Sequence, residues 1–252
     1  IILDAADGII TSTAGTSNVK LGDNAGNSIQ SGGDFNIVIG DEAGTAITTG
    51  DSNIAIGHGA GDALTTGTKN VAVGHLALST EDTHGFNVAV GFEALKDLNA
   101  GQEGYHTAVG YLAGTSMTTA FANTFIGGLA GDALTEGNNN VGVGVLALST
   151  ETKGAKSVGV GYGALSTQNT TSASDIYNTG VGYFAGANIT TGSLNTLVGG
   201  LSGDALTDGT TNCALGYLTL SAETSGQRNT AMGYSALANQ NGASETQSLN
   251  TA

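Results

Sequence analysis

Proline and tryptophan are absent from the 252 residues, and cysteine occurs once. A lone Cys rules out an internal disulfide framework and any multi-cysteine zinc site, and leaves the redox compartment open. Cations are nearly as scarce: 6 Lys and Arg stand against 21 Asp and Glu, a formal charge of −15. Without basic clusters, binding to nucleic acid or to an anionic membrane by counterion release is disfavoured. No apolar run approaches the ~20 residues of a membrane-spanning helix. Aromatics are only 5% of the chain, so the large side chains of a wide globular core are missing. The first residues, IILDAADGII, carry neither Met nor a signal-type segment, and the last, LNTA, stop inside a repeated phrase. The sequence therefore reads as a piece of a longer polypeptide.

Glycine is abundant, with 42 residues, and apolar residues make up 39% of the chain, too many for simple disorder. They are mostly small or β-branched, and they recur. Phrases of the type NVAVG begin at Asn18, Asn36, Asn53, Asn70, Asn87, His106, Asn123, Asn140, Ser157, Asn178, Asn195, Asn212 and Asn229, and a further one begins at Asn250. Spacings are 17 residues, stretched to 18, 19 or 21 at four places. A fixed short period means a solenoid rather than two duplicated domains.

With the Asn as position 0, position +4 is Gly throughout: Gly22, Gly40, Gly57, Gly74, Gly91, Gly110, Gly127, Gly144, Gly161, Gly182, Gly199, Gly216 and Gly233. Position +3 is always large and apolar, and +7 is Ala in eleven units. Position +8 runs Gly, Gly, Leu, Leu three times from Gly44 to Leu237, so a four-coil super-repeat of 70 to 72 residues overlies the 17-residue unit.

These features predict an all-β fold: a β-solenoid of about thirteen coils over residues 18–252, with 1–17 as a lead-in. NVAVG is β-branched and closes at Gly, as a strand ending at a corner does. LAL and GAL supply a second short strand, and TTG, TEG and STE a turn back. The absence of Pro fits, because a Pro in a stacked strand deletes a ladder hydrogen bond. Asn36, Asn53, Asn70, Asn87, Asn123, Asn140, Asn178, Asn195, Asn212 and Asn229 read as a coil-to-coil hydrogen-bonded ladder. Positions +3 and +7 are expected to be buried. Position +2, Ala or Gly in nine of the twelve coils from Asn36 on, is expected to face another chain, because both strand faces are apolar.

The phrases HTAVGYLAG from His106 and NTAMGYSAL from Asn229 resemble repeats in tail fibres of bacteriophages. The coils are also similar to the head repeats of trimeric autotransporter adhesins, across residues 18–252. The resemblance implies a left-handed β-roll, a homotrimer, a location on a virion or cell surface, and a host-surface glycan or protein as partner.

No catalytic constellation, phosphate loop or metal motif is present in the sequence, and neither enzyme activity nor a cofactor is expected. His58 and His75, both at +5 of adjacent coils, are a weak metal candidate. The +5 column also carries Tyr111, Tyr162, Tyr183, Tyr217 and Tyr234, which could stack on sugar rings or form a structural aromatic ladder. Glu81, Glu151 and Glu223 at +11 and Asp62, Asp132 and Asp204 at +9 read as solvated turn charges. Extra length at Asp97 to Tyr105, Thr167 to Tyr177 and Asn239 to Leu249 must bulge as loops, which offer hydrogen bonds to a receptor or are spacers left by duplication. A polysaccharide lyase or glycosidase on a β-helix and an ice-binding protein are lesser alternatives. The first usually needs wider coils with a charged cluster, and the second a regular Thr-x-Thr row.

Overall fold

A computed structural model describes residues 2–4, 8–10, 14–241 and 252. The described chain is all-β, without a helix, and is a parallel β-solenoid of about thirteen turns. Two compact units are distinguished, Ile1–Phe121 and Ala122–Ala252.

The first unit opens with an antiparallel pair, β1 (Ile2–Asp4) and β2 (Gly8–Ile10). Six three-residue strands follow: β3 (Val19–Leu21), β4 (Ile37–Ile39), β5 (Ile54–Ile56), β6 (Val71–Val73), β7 (Val88–Val90) and β8 (Thr107–Val109). Each pairs in parallel with the next at equivalent positions, as in Val71↔Val88 and Ala72↔Ala89. The second unit repeats the plan with β9 (Thr124–Ile126), β10 (Val141–Val143), β11 (Gly154–Ala155), β12 (Val158–Val160), β13 (Ser174–Asp175), β14 (Thr179–Val181), β15 (Thr196–Val198), β16 (Cys213–Leu215) and β17 (Thr230–Met232). There β11 and β13 form a small parallel pair of their own.

Each coil contributes one principal strand, not two. The LAL and GAL segments are turns, because positions +6 and +8 are left-handed: Leu76 has φ 51° and Leu78 φ 53°. A left-handed residue cannot continue an extended strand. The turns nevertheless stack, with Gly44 N–H donating to Ala60 O at 2.9 Å and Ala46 N–H to Asp62 O at 3.0 Å. At the +4 corner Gly is required twice over. Gly57 has φ 130°, and a Cβ there would come within 2.5 Å of Gly74 O in the next coil.

The strand faces are the reverse of the expectation. Position +2 points into the coil: Val38, Ala55, Ala72, Ala89, Ala108, Phe125, Leu197 and Ala214 are fully buried within the single chain. Ala72, Ala89 and Ala108 therefore need no partner to lose their exposure. Positions +1 and +3 face outward, half-buried or exposed in every coil. The interior is too narrow for β-branched residues from every strand, because the turn carrying +7, +8 and +11 packs directly on +2. The +7 column is buried as expected, except Ala236 in the last coil.

Where +8 is Gly, an apolar side chain at +2 or +11 lies directly over it. A Cβ at Gly131 would lie 2.4 Å from the Phe125 ring, and one at Gly44 would lie 2.6 Å from Val38 and 2.7 Å from Ile47. Where +8 is Leu, as at Leu78, Leu95, Leu148 and Leu165, that side chain occupies the core itself.

The Asn ladder is buried, and outside the irregular coils its side chains bond from coil to coil. Asn140 donates its backbone N–H to Asn123 Oδ1 (2.8 Å) and its Nδ2 to Gly154 O (2.8 Å), while its Oδ1 accepts Ser157 N–H (2.9 Å). The same pattern links Asn36, Asn53 and Asn70 in the first unit and Asn178, Asn195, Asn212 and Asn229 in the second. Irregular coils improvise. Ser157 lacks an amide, and Gln168 supplies one, donating to Ser157 Oγ (3.1 Å) and accepting from Asn178 Nδ2 (2.9 Å). In the coil with two extra residues, Asn87 Nδ2 is buried with no hydrogen-bond partner.

Asn140→Ala strips a buried N–H and a buried C=O of their partners, each costing about 1–3 kcal/mol. Urea unfolding should show a loss of about 2–6 kcal/mol. Asn87→Ala, whose amide nitrogen has no bond to lose, should cost clearly less.

Candidate functional site

Among the described residues, fifteen large apolar side chains are exposed, and all of them fall in three columns. Phe35, Tyr105, Tyr177 and Leu194 stand at −1. Leu21, Ile126, Leu215 and Met232 stand at +3. Phe92, Tyr111, Val145, Tyr162, Tyr183, Tyr217 and Tyr234 stand at +5. Columns −1 and +5 flank the outward strand residues +1 and +3, so the exposed apolar surface of each unit is concentrated on its strand face. None of the +1 or +3 residues is charged. This arrangement differs from the singly scattered apolar residues of an ordinary exterior and makes the strand face the candidate interaction surface.

The +5 rings form ladders. In the first unit His58, His75, Phe92 and Tyr111 stack in sequence, with centroids 5.2, 5.0 and 5.6 Å apart and planes within 22°. In the second unit Tyr162 stacks on Tyr183 at 5.7 Å, with Phe184 edge-on to both, and Tyr217 on Tyr234 at 5.9 Å. Neighbouring rings thus cover each other's faces and leave mainly edges, hydroxyls and the ladder ends to solvent. His58 and His75 are brought together as a face-to-face stack of exposed rings, a geometry that does not converge their nitrogens on one ion.

A metal-compatible cluster that sequence reading overlooked comprises Glu81, Asp82 and His84. Glu81 has another task. Its Oε1 accepts the His84 backbone N–H at 3.0 Å and lies 3.2 Å from His84 Nδ1, and its Oε2 accepts Ala100 N–H at 2.9 Å. Glu151 and Glu223, at the same rung position, likewise accept the N–H three residues on, from Gly154 at 2.7 Å and Gly226 at 2.8 Å. The backbone role therefore persists where no His is present. All three glutamates are completely buried, which corrects their reading as solvated turn charges. Burial of a carboxylate is tolerated because backbone amides satisfy it. Glu151 accepts from Thr152, Lys153, Gly154 and Thr170, and from Gln168 Nε2 at 2.8 Å.

Asp62, Asp132 and Asp204 are half-buried, and Oδ1 of each is buried without a hydrogen-bond partner. Burial raises the carboxyl pKa of all three, partly offset by nearby backbone N–H groups. These too are not freely solvated charges.

The extended segments reach the surface in the parts that are described: Gln102 and Glu103 in the first, 171–175 in the second. Residues 242–249 of the third lie outside the described residues, as do residues 250 and 251 of the repeat begun at Asn250. The second segment ends in a polar cluster. Lys156 Nζ donates to Asp175 Oδ2 at 2.7 Å and lies 5.2 Å from the Tyr177 ring centroid, and Tyr177 OH lies 3.2 Å from both Asp175 Oδ2 and Lys156 Nζ. The Lys156 hydrogen bond holds the Asp175 pKa below its usual value, and the same bond raises that of Lys156.

No family model, characterised protein or solved structure matches this chain.

A carboxyl whose pKa is raised in the fold loses stability as pH climbs through that raised value. The triple variant Asp62→Asn, Asp132→Asn, Asp204→Asn should therefore melt above the wild type at pH 7. The gap should close as pH falls below about 4, where the aspartates are protonated in folded and unfolded chains alike. A variant less stable at pH 7, by differential scanning calorimetry, would contradict the assignment.

Proposed function

We propose that this chain is a structural and adhesive fibre segment, of a phage tail fibre in the first instance, that assembles through its strand face into a homotrimer of left-handed β-rolls. One observation carries the reading: among the described residues, all fifteen exposed large apolar side chains lie in three columns of the strand face of each unit. The charge-free +1 and +3 columns would pack against other copies of the chain. The exposed acidic side chains, Glu103 and Asp175 among them, stand off those two columns and would keep assembled fibres from sticking to one another. The stacked +5 rings, with Tyr111, Tyr162, Tyr183, Tyr217 and Tyr234 presenting edges and hydroxyls, border the packed columns and offer contact to a host-surface glycan or protein.

The reading assigns no catalytic, metal-binding or nucleic-acid role, and places the protein on a virion. The head domain of a bacterial trimeric adhesin is the second reading, favoured by the same coil phrases. The polar amides of the extended segments suit either.

The expected mass by light scattering is three times the 24.7 kDa chain. Cys213, the only cysteine, is exposed at +1 of β16 and reports on the same face. A short bis-maleimide should link copies through it. The double variant Val71→Lys, Val141→Lys should dissolve the assembly while keeping the β-type circular dichroism. A wild-type monomer at micromolar concentration, or a trimer indifferent to both lysines, would overturn the proposal.

A further inference from the structure

The −1 column is left-handed in all thirteen coils, with φ from 49° to 64°, and none of its residues is Gly. A non-glycine residue in this conformation costs about 1 kcal/mol or more, in a chain with 42 glycines to spare. Yet Phe35, Lys69, Tyr105, Lys156, Tyr177, Leu194 and Arg228 occupy it with solvent-exposed side chains, three of them among the chain's 6 cations. Burial inside the chain does not explain why long side chains are kept there.

One pairing recurs: a Lys at −1 beneath a ring at −1 of the next coil. Lys69 Nζ lies 5.0 Å from the Phe86 centroid, and Phe86 stacks on Tyr105 at 5.2 Å with planes 15° apart. Lys156 lies 5.2 Å from the Tyr177 centroid. The second pairing is already occupied. Asp175, from the extended segment, sets its carboxylate on Lys156 Nζ at 2.7 Å and on Tyr177 OH at 3.2 Å. The first is open: no described carboxylate lies within ion-pair distance of Lys69.

We propose that Lys69, Phe86 and Tyr105 bind the carboxylate-bearing sugars of an acidic polysaccharide, in the way Asp175 occupies Lys156 and Tyr177. The ligand carboxylate accepts from Lys69, its ring lies along the Phe86 edge, and a hydroxyl reaches Tyr105 OH. Coil spacing of ~4.8 Å is comparable with the length of one pyranose unit. An extended acidic peptide is a poorer fit. Peptides bind such surfaces largely through main-chain hydrogen bonds, and here the Lys69 and Phe86 N–H groups already donate to Asp51 O and Thr68 O. The site goes beyond the fibre reading and does not depend on trimer formation.

The test is calorimetric titration of the whole chain with oligogalacturonate at low salt, with neutral dextran and polyglutamate as comparison probes. One site per chain is expected. Lys69→Gln should weaken binding about tenfold, the loss of one charge-assisted hydrogen bond, and Tyr105→Phe should weaken it less. Asp175→Asn should free the second pairing and raise the stoichiometry from one site to two. Lys69, Tyr105 and Asp175 are all exposed, so the variants should fold, and light scattering on the same samples reports assembly separately. Failure of wild type and Asp175→Asn alike to bind oligogalacturonate would overturn the proposal. So would binding indifferent to Lys69→Gln, or equal binding of polyglutamate.

Discussion

Everything in this fold depends on coils lying in register, each satisfying the backbone of the next. Strands three residues long cannot stand alone. They persist because each N–H and C=O has an equivalent partner one coil away, and because a buried Asn ties strand start to turn end. Every other feature is subordinate to that registry. Proline is excluded, glycine is fixed at the corner where coils approach most closely, and added residues must leave the stack. Two extra residues leave Asn87 Nδ2 unbonded. The longer insertion after Ser157 is accommodated by the Gln168 amide and the buried Glu151 carboxylate.

Registry also makes the interior narrow, and narrowness determines which residues go in. Alanine and glycine line +2 and +7, and larger groups enter one at a time. Phe125 in one coil demands Gly131 and Gly142 beside it. On the strands, the β-branched residues of +1 and +3 go outside, where a single chain leaves them half-covered or exposed. An outward face of this composition suits the proposed assembly, since burying it would remove apolar area from water at roughly 25 cal/mol per Å².

Period, corner glycines, Asn ladder and super-repeat were legible in the sequence because each is a strict positional regularity. The direction of the strand was not. Alternation separates +2 from +1 and +3 but does not say which set is inside when both are apolar. The small size of Ala72 and Ala89 was the usable clue, pointing to a cramped interior. The second strand at LAL was misread because left-handed Leu is rare, and nothing local in Leu76 or Leu78 announces it. The burial of Glu81, Glu151 and Glu223 was hidden by the habit of placing charge at the surface. A Gly three residues after Glu151 and Glu223 marked the tight turn each carboxylate caps. The −1 column escaped notice because its residue types vary while its backbone does not.

The account stands or falls on which strand positions are covered, and by what. Cysteine accessibility resolves this directly, using Ala72→Cys and Val73→Cys, each in a Cys213→Ser background. Thiol labelling is measured at the working concentration and after dilution below assembly. The account predicts that position 72 is protected in both states, and that position 73 is protected only in the assembly and labels freely on dilution. Free labelling at 72, or labelling at 73 that is equally fast in both states, would contradict it.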